Sequence, residues 1–156
     1  MKLLFKQRFF SWFDSYDIYD EFGKVMFEVK GQLSWGKRLE IYDASGAHLG
    51  TLCQKVFSFL PTFELYFREE YIGSIQKDFS FFKPSFSINC NGWHVDGDFM
   101  EWDYSIMDQL GKTVANIGKE LFNWTDTYVL NVYDPADAVT VLMIALAIDS
   151  EKDSRR

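Results

Sequence analysis

Residues 138–148 read Ala-Val-Thr-Val-Leu-Met-Ile-Ala-Leu-Ala-Ile, an apolar run interrupted by one threonine. Ahead of it, Asp134 is suited to cap a helix, Pro135 to open its first turn, and Asp137 to place negative charge at the positive end of the helix dipole. The Thr140 hydroxyl can bond back to a carbonyl of the preceding turn. A helix that is apolar on every side has no face to offer water and must be buried all round. Its length is about 16 Å at 1.5 Å per residue, roughly half of what a bilayer requires. The remainder of the chain is therefore expected to enclose it.

That remainder is repetitive. Ile18-Tyr19-Asp20-Glu21-Phe22-Gly23, Ile41-Tyr42-Asp43-Ala44-Ser45-Gly46 and Ile106-Met107-Asp108-Gln109-Leu110-Gly111 share one spelling. Each reads as a hairpin turn, because Asp can accept bonds from its own backbone two residues on and Gly supplies the positive φ at the end of a short loop. Asn89-Cys90-Asn91-Gly92 and Arg68-Glu69-Glu70 fill the same place without that spelling. Between these turns lies a second punctuation, small or polar then aromatic: Ser11-Trp12, Ser34-Trp35, Ser58-Phe59, Ser80-Phe81, Glu101-Trp102 and Asn123-Trp124. The six aromatics recur every 21 to 24 residues, so the chain is six copies of one two-stranded unit.

Two kinds of connection alternating about every 11 residues mark an up-and-down β fold. Strands are expected near 2–8, 14–19, 24–30, 38–42, 48–55, 62–67, 71–77, 85–89, 93–98, 103–107, 113–119 and 127–133. Sequential hairpins of equal size favour closure, which leaves no strand edge exposed. Aligning Gln54-Lys55 with Gln76-Lys77 leaves Cys53 as an extra residue, and this predicts a β-bulge near Cys53 to keep later side chains on their proper faces. The expected fold is mainly β: a closed twelve-stranded antiparallel barrel around a buried hydrophobic C-terminal helix over about 135–149. One domain spans 1–150, with 151–156 as a polar tail.

With these elements in place, Lys6-Gln7-Arg8-Phe9-Phe10-Ser11-Trp12-Phe13-Asp14-Ser15-Tyr16-Asp17-Ile18-Tyr19-Asp20, the Gly31-x-Leu33-Ser34-Trp35-Gly36 segment, and Asp126-Thr127-Tyr128-Val129-Leu130 leading into an apolar helix resemble the LURP-one-related family of the tubby C-terminal-like superfamily. The resemblance covers essentially the whole chain. It implies a twelve-stranded barrel around a C-terminal helix, and relatives in the superfamily bind phosphoinositides or act at membranes. Their lipid-binding positions do not carry over residue by residue.

Catalysis finds no foothold. The two histidines, His48 and His94, lie near no nucleophile motif, and GxSxG, GxGxxG, P-loop and HExxH patterns are absent. The expectation is a non-enzymatic chain without cofactor. Cys53 and Cys90 have no metal or disulfide spacing, and the opening residues hold no export segment, so a cytoplasmic setting is expected. Asp96, Asp98, Glu101 and Asp103 supply hard oxygens of the kind calcium takes, but off EF-hand spacing, and are read as a solvated acidic face. A net charge of −7 argues against nucleic acid.

One surface feature carries the functional expectation. Alternation of turns should gather Asp20, Glu21, Asp43, Glu69, Glu70, Asp108 and Asp134 at one barrel end. The other end should collect the six repeat aromatics, Trp12 and Trp35 among them, with Lys6, Arg8, Lys30, Lys37, Arg38, Lys55, Lys77, Lys83 and Lys119. A basic, aromatic rim suits peripheral contact with anionic lipid or phosphoinositide. The competing readings are a protein-interaction scaffold, and rings that simply close the barrel while lysines lie over them. Truncation before Asp134 is expected to give aggregated or unfolded protein; a soluble truncate that melts cooperatively would remove the central-helix reading.

Overall fold

The computed structural model describes residues 1–6, 15–79, 83, 85–99, 101–122 and 125–153. Twelve strands follow in order: β1 (Lys2–Lys6), β2 (Ser15–Tyr19), β3 (Val25–Ser34), β4 (Gly36–Asp43), β5 (His48–Gln54) and β6 (Thr62–Phe67). Then come β7 (Glu70–Lys77), β8 (Phe86–Asn89), β9 (His94–Asp98), β10 (Asp103–Met107), β11 (Thr113–Phe122) and β12 (Thr125–Val132). A single 3-10 turn, Pro135–Asp137, leads into α1, Ala138–Asp153, and Asp134 caps it by accepting the Ala136 N–H at 3.0 Å.

The sheet is an antiparallel meander in the order β8-β7-β6-β5-β4-β3-β2-β1-β12-β11-β10-β9. Its ring is joined by the first and last strands, registered from Lys2 opposite Asn131 to Lys6 opposite Thr127. The barrel is nearly closed. Its two sheet ends, β8 and β9, lie side by side without a ladder between them. Both are short, and the connecting turn places Asn91 and Gly92 at positive φ. Ring contact between Phe86 and Phe99, with centroids 5.0 Å apart, seals the far end of this seam.

The turns repeat atom for atom. Asp20 Oδ1 accepts from the N–H groups of Phe22 and Lys24 at 2.9 and 2.8 Å. Asp43 does the same for Ser45 and Ala47, and Asp108 for Leu110 and Lys112, all at 2.9 Å. Gly23, Gly46 and Gly111 close them at φ of 83°, 89° and 80°, with open space where a Cβ would stand, so backbone conformation alone selects glycine.

Three residues beyond each of these glycines comes a register shift that leaves Met26, Leu49 and Val114 as extra residues; Ile72 is the counterpart in the β6–β7 hairpin. The bulge expected near Cys53 is therefore misplaced. Cys53 sits in regular register opposite Arg38 and Glu64. Leu49 and Ile72 hold the same bulge position in their hairpins, so Cys53, four residues beyond the first, corresponds to Gln76, four beyond the second. Apolar residues at the bulges keep the core filled where the strand bends.

Strand alternation turns Leu39 and Ile41, Gly50 and Leu52, Phe63 and Leu65, Ile106, Ile117 and Leu130 inward onto α1. Along the helix, Val141 to Ile148 is buried without interruption, including Leu142, Met143, Ile144 and Leu146. Helix α1 runs four residues beyond the expected 149, and Glu151, assigned from sequence to a polar tail, is buried. At Gly50 the wall comes close to the helix: a Cβ there would lie 3.2 Å from Val139 Cγ1, 3.3 Å from Met143 Sδ and 3.1 Å from the Tyr66 carbonyl. Gly50→Ala should therefore cost about 1–3 kcal/mol by overpacking. Gly118→Ala, with nothing within 4 Å of the new methyl, should stay within about 0.5 kcal/mol of wild type. Urea unfolding midpoints test the contrast.

Candidate interaction site at the aromatic end

The alternation of connections sorts the loops as expected. The Asp turns and the start of α1 lie at one end of the barrel; the loops β3–β4, β5–β6, β7–β8 and β9–β10 and the C-terminus of α1 lie at the other. At this second end the recurring serine has a defined task. Ser34 Oγ donates to the Gly36 carbonyl at 3.0 Å, and Ser58 Oγ donates to the Leu60 carbonyl, each bridging two residues across the aromatic between them. The intervening ring is thereby turned away from the barrel: Trp35 is 90% exposed and Phe59 98%.

Their neighbours extend this surface. Phe57 is 95% exposed, and Val56 and Phe79 are also exposed. A Cβ on Gly36 would sit 3.3 Å from Val56 Cγ2, which sets the β3–β4 turn against the β5–β6 loop. The β5–β6 loop is pinned to the wall, because Lys55 N–H donates to the Thr62 carbonyl and Lys77 N–H to the Pro61 carbonyl at 2.8 and 2.9 Å. Since β3 to β8 are consecutive neighbours, Trp35, Val56, Phe57, Phe59 and Phe79 form one apolar arc along half of the rim. Phe57 and Phe79 were not singled out from sequence. The signal was there, since Phe-Ser-Phe is spelled twice, at 57–59 and 79–81.

On the other half of the rim the described rings turn inward. Trp102, at φ +55° and 2% exposed, turns inward and stacks on Tyr128 with centroids 3.7 Å apart. Phe5 on one side, and Tyr104, Phe99 and Phe86 on the other, continue the ring chain across β1, β12, β10 and the seam. Thus of the six repeat aromatics Trp35 and Phe59 are exposed and Trp102 closes the barrel. Trp12, Phe81 and Trp124 lie outside the described residues, as does Arg8; of Lys6 only the backbone is described, at the end of β1.

The cations do not assemble as expected. Lys30 and Arg38 stand on the outer wall, Lys30 3.8 Å from Glu28 and 5.0 Å above the Tyr42 ring, Arg38 2.8 Å from the buried Glu40. Glu40 is also held by His48 Nε2 at 2.5 Å and by Thr51 Oγ1 at 2.6 Å. Burial pushes the Glu40 carboxyl up, but the bonds from Thr51, Arg38 and His48 overcome it and leave the pKa below its ordinary value. Lys77 points into the barrel mouth and pairs with Glu151 of α1 at 3.6 Å, both nearly enclosed at 13% and 7% exposure. Burial holds the Tyr16 and Tyr104 phenols well above the usual range, and the Asp149 carboxylate adds to it. Lys37 is half-buried at the start of β4; Lys55, Lys83 and Lys119 are exposed, Lys55 and Lys83 on the loops that carry the arc.

Among the described residues charge is mixed at both ends, and they do not show the expected polarity along the axis. Asp78, Asp98 and Glu101 share the aromatic end, while Lys24, Arg68 and Lys112 share the other with the Asp turns. The reason is topological: repeat position fixes which end a loop occupies, but cations within strands are assigned to the wall or the lumen by alternation. Among the described residues, no three His, Cys, Asp or Glu side chains come together as a metal-binding group, Asp96, Asp98, Glu101 and Asp103 included. Nor is any described helix long and apolar enough to cross a membrane.

A nearly closed twelve-stranded barrel filled by a C-terminal apolar helix, with an aromatic arc on half of one rim, defines the class of the molecule. The chain belongs to the LURP-one-related family, whose profile matches residues 1–149 and bears out the resemblance read from the opening segment. It is 31% identical over 151 residues to "Uncharacterized protein YxjI" of Bacillus subtilis (strain 168), covering 96% of this chain and 92% of that protein. It is similar in fold to an X-ray structure of a protein from Arabidopsis thaliana, with a TM-score of 0.63 across 95% of this chain and 90% of that one at 14% identity.

The Lys77–Glu151 pair yields a stability prediction. Lys77→Met leaves a carboxylate in the barrel mouth without its cation and should cost about 3 kcal/mol, whereas combining it with Glu151→Leu should recover most of that loss. A double-mutant cycle in urea measures it; additive effects would mean that the two side chains act independently.

Proposed function

We propose that the chain is a non-catalytic binding module that attaches peripherally to a lipid surface through the aromatic arc. One observation carries this reading: Trp35, Phe57 and Phe59 stand at the tips of two adjoining loops almost wholly exposed, with Phe79 on the next loop. A soluble surface gains nothing from rings held out in this way, and serine bonds that hold them there indicate a use for the exposure. Trp35, Phe57 and Phe59 are so exposed that little of any of these rings is covered by a neighbour. A protein partner would need a matching pocket for each, whereas the headgroup layer of a bilayer deforms around them and accepts amphipathic and aromatic side chains at that depth.

The energy scale fits reversible attachment. Full burial of a Phe contributes about 1.5–3 kcal/mol, so half-burial of four tips contributes on the order of 3–6 kcal/mol. That is comparable to the marginal hold of a single acyl chain. Catalysis is given no part, because the lumen is filled by the helix and the Lys77 and Glu151 side chains of the barrel mouth are paired with each other.

Vesicle flotation tests the reading. Wild type should float with phospholipid vesicles, and the triple variant Trp35→Ser, Phe57→Ser, Phe59→Ser should remain at the bottom while melting at an unchanged temperature, since none of the three is in the core. Wild type that stays with the soluble fraction, or a variant that floats equally well, would overturn it and favour a scaffold for protein partners.

A further inference from the structure

We infer that the arc recognises the boundary between headgroups and hydrocarbon itself, so that its lipid partner is a loosely packed surface of no required charge. The inference rests on the membrane reading above and specifies its partner. It follows from an accounting of the cations. A site that selects anionic headgroups converges several charge-assisted donors on one place. Among the described residues the candidates are dispersed and engaged: Arg38 with Glu40 on the wall, Lys30 with Glu28 on the wall, Lys77 with Glu151 inside the mouth. Lys37, Lys83 and Lys119 also make contacts of their own. Lys55 is left as an exposed cation directly beside Val56 and Phe57.

Opposing charge is close by. Asp78 lies on the same loop as Phe79, and its carboxylate is held by the Ser85 and Ser87 hydroxyls, at 3.3 Å and 2.8 Å. Asp98 and Asp103 face each other across the β9–β10 ladder at the same barrel end, with Glu101 exposed in the loop between. The whole chain carries −7, which an anionic surface repels. Electrostatics therefore contributes little attraction or opposes docking, and the exposed rings supply the drive. Rings enter where acyl chains are already accessible, so packing defects and curvature, not headgroup charge, should set affinity.

The experiment is flotation of the full chain with phosphatidylcholine vesicles, with the same vesicles containing phosphatidylserine, and with small, highly curved phosphatidylcholine vesicles, at low and high salt. Partition into the neutral and anionic vesicles should agree within about threefold and change little with salt, where three productive lysines would give a gain of roughly a hundredfold. Curved vesicles should bind more strongly than flat ones. Lys55→Glu should alter partition by less than about threefold, and Trp35→Ser with Phe59→Ser should lower it by about tenfold or more. A gain of tenfold or more from phosphatidylserine that vanishes at high salt overturns this inference and leaves the membrane reading standing. Failure to float with any vesicle overturns both.

Discussion

The burial of α1 is the constraint on which the other features depend. A helix apolar on all sides is a liability in water, and a twelve-stranded wall has a lumen too wide for its own side chains to fill. Each element solves the other's problem. The wall supplies Leu39, Ile41, Leu52, Leu65, Ile106, Ile117 and Leu130, and the helix meets them with Leu142, Met143, Ile144 and Leu146. Glycine at position 50 marks the cost of this fit, since even one methyl would strike both the helix and the neighbouring strand.

Filling the lumen also decides what the molecule can offer to a ligand. The lumen is taken up by α1 and the apolar side chains packed on it, and near the helix C-terminus Glu151 is paired with Lys77. Interaction is displaced to the outside, and on the outside the two halves of the rim differ. From β8 round to β1 the rings of Phe86, Phe99, Tyr104, Trp102, Tyr128 and Phe5 turn inward and pack on one another in a chain that crosses the seam. From β3 to β8 the serine-bridged loops turn their rings outward. The same repeat position therefore serves packing on one side and exposure on the other.

The fold was largely legible. Strand count, turn chemistry, helix and enclosure follow from the Asp-x-x-Gly period and the apolar run, because those features are local and backbone geometry converts them directly into structure. The charge of the rim was not legible. Lys77 and Lys83 look alike as basic residues flanking Ser80-Phe81, yet Lys77 follows Gly73 and Ile75 into the lumen and meets Glu151, while Lys83 stays in the loop. Glu151 was taken for a tail residue because charge after an apolar run usually marks a helix end. Three residues beyond Ile148 it remains on the buried side of the helix, where a lysine from the wall is waiting.

From the sequence alone came the unit, its six-fold recurrence, and the need for an all-round partner for residues 138–148, since periodicity and the absence of a wet face are properties of a single segment. Tertiary structure decided which repeat aromatics are exposed, where the cations are spent, and that the wall stops one ladder short of closure between Asn89 and His94. Those outcomes depend on which residue of a distant strand lies opposite, and register across the barrel is a relation between segments that no one segment contains.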